Sequence, residues 1–243
     1  MKNITSIVLI STLSFNIACT SMKNTETPKD QIVDAALANN PFMKKSSLQY
    51  QAPEFDKIKD EHFKPAFDFG LKQNLAEIEK IANNTATPTF ENTVLALEKS
   101  GEVLKRAQIV FYNLTGSNTN PTLQKIEEEY APIFASHSDK IYLNSKIFNR
   151  IKDIKTEGLD SEDKRLIEVY KQRFELAGAN LTDAQKEQMK AINAELATLS
   201  TQFTSKLLEA RKKGAVLIND VKELDGLSAD EIAAAATDAK NAG

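Results

Sequence analysis

Apolar positions recur along this chain at helical rather than strand spacing. Phe63, Phe67, Leu71, Leu75 and Ile78 follow one another at intervals of three or four residues, which keeps them on one face of a helix. Asp60 is positioned to cap that helix, Glu61 suits the positive end of its dipole, and Pro65 lies early enough to cost little. The segment "NNTATPT" breaks the pattern. A second helix is expected from about Phe90 to Leu114, with Val94, Leu97, Val103 or Leu104, and Phe111 inward. A third starts at Asn120 and Pro121 and carries Ile126, Tyr130, Ile133 and Phe134 toward Ile141, with a kink at Pro132. "KIFNRIKDI" reads as a shorter helix.

The longest pattern comes next. Leu166, Tyr170 and Phe174 repeat every fourth residue, "GAN" at 178–180 supplies a glycine stop, and Thr182 with Gln185 forms a capping box. Met189, Ile192, Leu196, Leu199, Phe203 and Leu207 then hold one seam over roughly 30 residues, close to 45 Å of helix. So short a turn predicts that the two helices pack as an antiparallel hairpin, with an intermolecular coiled coil through the seam as the alternative. "AVLIND" after "RKKG" is the one strand candidate, and "LSADEIAAAATDAKNAG" is a final helix opened by Ser228 and Glu231. The expected fold is mainly α: an elongated helical domain with a long antiparallel hairpin, truncated at the start of a second region. Its parts are a signal peptide at 1–18, a flexible tether at 19–39, the helical domain at 40–214 and an incomplete following region at 215–243. The stretch "NPFMKKSSLQYQAPEFDKI" is read as extended and superficial.

Composition agrees with a helical reading, because Gly at 8 and Pro at 7 are scarce in 243 residues. With 31 basic and 34 acidic residues, nothing recruits phosphate backbones, so nucleic acid is excluded as a general partner. Lys2, the apolar run "ITSIVLISTLSF" and Cys19 form an export leader with a lipid-attachment cysteine. Asn16 departs from the aliphatic residue such signals carry at that place, and ordinary signal cleavage is the alternative. The expected location is the periplasm, with Cys19 anchoring the chain to a membrane. As the single cysteine, Cys19 excludes an intrachain disulfide.

Candidate chemistry is sparse. A helical zinc hydrolase uses H-E-x-x-H, yet Ala66 and Ile141 stand four residues after His62 and His137, and Ile58 and Ile133 stand four before them. No nucleophile elbow or phosphate-cradling glycine loop occurs either. "ARKKG" at 210–214 suits a helix C-terminus, and "EEE" at 127–129 a solvated face. No catalytic residue and no metal ligand is therefore assigned.

Six stretches in order carry more than any single site: "YQAPEFDKIKDEHFKPAF", "IANNTATPTFENTVLALEKSG", "FYNLTGSNTN", "HSDKIYLN", "AGANLTDAQKEQMKAINAELATLSTQF" and "ELDGLSADEI". From about Asn40 to Gly243 the chain resembles the N-terminal portion of the thimet-oligopeptidase-like zinc peptidases, in the peptidyl-dipeptidase and oligopeptidase A branch. That resemblance implies helices forming a wall over a deep channel, with zinc, H-E-x-x-H and a further Glu ligand in the C-terminal half. It implies oligopeptide substrates, release of C-terminal dipeptides and a catalytic half not present in this sequence, which is then a fragment, a truncated gene product, one piece of a split protein completed by a separately encoded C-terminal half, or a shortened paralogue with another role. None of those ligands has a matching position here, so the chain is expected to be inactive alone. Two other readings stand beside it: an exported helical binding lipoprotein without catalysis, and a zinc protein using His62 and His137. An incomplete fold of this kind is expected to leave apolar surface exposed.

Overall fold

A computed structural model of the chain describes residues 37–214 and 216–242; the expected leader and Cys19 lie outside them. Helices supply the regular structure, and no strand occurs among the described residues, in keeping with a mainly α fold. The segment before the first long helix is pinned rather than merely laid on the surface. Asn40 accepts the Phe42 N–H at 3.0 Å and donates to the His62 carbonyl at 2.8 Å, which seats the buried Phe42 ring 5.2 Å from Phe63.

Helix α1 (Phe63–Ala82) is preceded by a 3-10 turn, Asp60–His62. That extra turn displaces Asp60 from the expected capping position. Asp60 instead accepts a bond from Asn120 Nδ2 at 2.9 Å, while the His62 ring accepts the Lys59 N–H at 3.1 Å. Phe63, Ala66, Phe67, Gly70, Asn74, Ile78 and Ile81 are the buried positions of α1, so Leu71 and Leu75 lie at the margin of the predicted stripe.

The predicted second helix is split. A π-helical segment, Phe90–Leu95, capped by Thr89 with a reciprocal Asn92 bond, runs into α2 (Ala96–Glu98), and α3 (Glu102–Ser117) starts after Gly101. Gly101 has φ +69°, and a Cβ there would lie 2.9 Å from the Asn74 side chain. Its N–H donates to Glu77 Oε2 at 2.7 Å, so contacts from α1 set the break. Asn120 caps α4 (Pro121–Tyr142) as expected, and α4 runs through Pro132 as one helix. Ile133 on α4 faces out, against the sequence reading. After α5 (Ser145–Lys152), α6 (Ser161–Ala177) ends at Gly178 with φ +106°, where Ala179 N–H returns to the Phe174 carbonyl at 2.9 Å.

Two apolar clusters share α1. Phe42, Phe63, Phe67, Phe111, Leu123 and Tyr130 belong to one, built on the first half of α1 with α3 and α4. Ile78, Phe90, Val94, Ile147, Tyr170 and Phe174 belong to the other, which joins the last turns of α1 to the π segment, α5 and α6. Gly70 lets α1 and α3 approach so closely that a Cβ would stand 2.8 Å from the Leu104 amide nitrogen.

Helix α7 (Asp183–Lys213) begins at the predicted Thr182–Gln185 box. Its chief packing partner is α4 rather than α6, which corrects the pairing within the expected hairpin. Lys186 bonds Ser145 just beyond α4, and Asn193 bonds Asp139 within it, so the two helices run antiparallel. The five-residue turn after α6 redirects the chain instead of folding α7 back along it. The predicted strand also fails: residues 216–220 form no ladder, since a strand needs a partner and no described strand offers one. The last helix, α8 (Ala229–Ala242), carries the expected Ser228–Glu231 box.

Candidate functional site

The two histidines raised by the sequence are kept apart. His62 closes the turn before α1 through Lys59, whereas His137 on α4 bonds Asn74, twelve residues and about 18 Å further along α1. Among the described residues, no group of three or more His, Cys, Asp and Glu converges on a point that would hold a metal. The described residues do not fit a zinc site, because the two histidines stand far apart along α1 and neither is joined by two further ligands. Cys19, the predicted lipid-bearing residue, lies outside the described residues.

His137 belongs to a polar layer between the two apolar clusters. Its Nε2–H donates to Asn74 Oδ1 at 2.7 Å, and its buried Nδ1 has no partner. A 300 Å³ cleft lined by Leu71, Leu75, Pro132, Ile133 and Lys140 borders the ring. Burial, and secondarily the charge of Lys140, lowers the His137 pKa below the ordinary value. The unfolded chain therefore binds this proton more tightly than the folded one. Stability is retained above the free histidine pKa of about 6.5 and declines as pH falls through it toward the folded value. The melting temperature is expected to drop between about pH 7.5 and pH 5.5. His137→Gln should flatten that drop, and an equally steep decline in the variant would rule the assignment out. Asp139 and Glu127, both pushed up mainly by burial, act in the opposite sense and nearer the carboxylate range. Glu127 also departs from the solvated face expected of 127–129, being half-buried, while Glu129 pairs with Lys64 at 2.8 Å.

A second polar centre is Arg150 on α5, a buried guanidinium. Its nitrogens donate to the carbonyls of Asn84 and Ala86 and to the Asn92 and Thr93 side chains, and so close the loop between α1 and the π segment. A cleft of 450 Å³ lies beside Tyr50 and Gln51, two successive residues at φ +57° and +56°. Its cations are largely occupied: Lys45 pairs with Glu102 and Arg106 donates to the Phe42 carbonyl. These features organise the fold and bring no acid, base or nucleophile to a common point.

The outward face of α7 is different. Ile192, Leu196, Leu199 and Phe203 are 58%, 59%, 52% and 68% exposed, and Leu207 is 44% exposed. Of the seam read from the sequence as core, Met189 is half-buried and the other five residues face solvent. Helix α4 lies against the other side, where Lys186, Asn193, Ala194, Ala197 and Thr201 are buried or half-buried. Small and polar residues let α4 take the face that hydrophobicity did not mark. A signal for this was present: the ten residues from Leu196 to Ser205 contain no charge, which is unusual for a helix turned to water.

No family model matches the chain. It is 46% identical over 208 residues to dipeptidyl carboxypeptidase of Escherichia coli, a match that takes in 84% of this chain and 30% of that protein. It is 44% identical over 211 residues to the Salmonella typhimurium protein of the same name, covering 85% and 31%. Oligopeptidase A of Salmonella typhimurium is 26% identical over 205 residues, covering 83% and 30%. The chain thus spans about a third of the length of these peptidases. Over the matched stretch it is similar to the dipeptidyl carboxypeptidase and oligopeptidase A branch of the thimet-oligopeptidase-like peptidases.

Proposed function

We propose that this chain is the N-terminal, channel-wall part of a zinc metallopeptidase that releases dipeptides from the C-termini of oligopeptides, and that it does not hydrolyse peptides by itself. The observation that carries the proposal is the match to dipeptidyl carboxypeptidase: 46% identity across 84% of this chain against 30% of the relative. Identity of that order over a helical region with two packed cores supports a shared scaffold. In this reading zinc, its ligands and the base that activates water come from polypeptide outside this chain, and the helices described here bound the path of the substrate. The reading also includes export through the leader at 1–18 and a lipid on Cys19, holding the protein at the periplasmic side of a membrane. The intact mass of the mature protein reads that modification directly.

The experiment has two arms. The purified chain is given zinc and a free-carboxylate oligopeptide. In parallel, the chain's matched residues replace the corresponding stretch of the Escherichia coli enzyme. Dipeptide release is expected from the chimera and not from the chain. An inactive chimera that is folded and zinc-loaded would remove the support for a shared function.

A further inference from the structure

We propose that the outward seam of α7 (Ile192, Leu196, Leu199, Phe203 and Leu207) is the surface on which the catalytic body of the peptidase docks. This rests on the function proposed above. The occupant is the portion of a relative-sized enzyme outside the stretch matched here, and the face it presents is apolar and uncharged. Three observations select it over other occupants.

First, the seam is exposed along its whole length while α4 occupies the opposite side of α7, so the fold described here leaves it without cover. Its 4,3,4,4 spacing is that of residues packing into a neighbouring helix. Second, its flanks are Thr198, Ser200, Gln202 and Thr204, with Glu195 and Lys206 only at the limits of the uncharged run. A helix that pairs with its own copy is normally bordered by complementary charges along its length that set register, and between Glu195 and Lys206 the flanks carry none. Charge depletion instead marks the core of a permanent interface. Third, the fifteen residues between Ile192 and Leu207 make a ridge about 22 Å long and about 10 Å wide. The ridge is left for a segment beyond the stretch matched here, and about 70% of the length of the dipeptidyl carboxypeptidase relative lies outside the match. Further along the chain Val216, Leu217, Val221 and Leu227 are exposed as well, at 81%, 68%, 61% and 47%.

The test places a thiol on the ridge. Leu199→Cys is made in a Cys19→Ser background of the chain and in the chimera with the Escherichia coli enzyme. Maleimide modification of the peptide containing residue 199 is followed by mass spectrometry. Labelling in the chimera is expected to be at least tenfold slower than in the isolated chain. Equal rates in the two proteins overturn the proposal. So does protection in the isolated chain that rises with its concentration together with a dimer in sedimentation, since the occupant would then be a second copy. Dipeptide release by the chimera without the new cysteine is read separately. Protection of residue 199 in an inactive chimera keeps the docking surface and removes the function, whereas an active chimera with a freely reactive residue 199 does the reverse.

Discussion

Phe67→Ala should lower the unfolding free energy by about 3–5 kcal/mol, whereas Phe203→Ala, the same chemical change on α7, should move it by less than about 0.5 kcal/mol. Phe67 is fully buried, and its ring lies 4.9–6.0 Å from those of Phe63, Phe111, Tyr130 and Phe134. Truncation removes the shared member of that cluster and leaves a cavity where α1, α3 and α4 meet. A loss of that size is a large fraction of a total stability of about 5–15 kcal/mol. Phe203, 68% exposed, has no comparable contacts to lose. Urea unfolding followed by circular dichroism measures both. Similar losses at the two positions would mean that α7 is turned the other way.

Arg150→Leu is the second large effect, with an expected loss of about 3 kcal/mol or more. The substitution keeps an apolar stem but takes the shared donor from the carbonyls of Asn84 and Ala86, while Asn92 Oδ1 keeps the Thr89 N–H and the Thr93 hydroxyl. Charge-assisted bonds to a buried arginine are stronger than neutral ones, and removing the donor leaves the desolvation cost of its acceptors uncompensated. Arg150→Lys keeps the charge without the planar fork and should recover only part of the loss. Full recovery by lysine would show that charge, rather than the fork, closes the loop before the π segment.

Phe67 falls on the stripe read from the sequence, whereas nothing in the sequence marked Arg150. Elements fixed by local chemistry were legible: the Asn120–Pro121 start of α4, the Gly178 stop, and the boxes at Thr182 and Ser228 each act within a few residues. Elements fixed by distant partners were not. Asp60 lost its capping role to a 3-10 turn held by Asn40 and His62, and the break at Gly101 depends on Asn74 and Glu77 of α1. The roles of Arg150 and His137 likewise lie in contacts 57 to 66 positions away in sequence. For α7, periodicity identified an amphipathic helix but carried no information on which neighbour would take which face. The run of ten uncharged residues from Leu196 was visible, and it gained meaning only once α4 was found on the opposite side.

The proposed role turns on whether chemistry resides in this chain. The most direct measurement is dipeptide release from a free-carboxylate oligopeptide by the purified chain supplied with zinc, followed by mass spectrometry of the products. The expected result is no release above a protein-free control, with activity appearing only when the matched residues stand within the longer peptidase. Zinc-dependent release of C-terminal dipeptides by the chain alone would contradict the account.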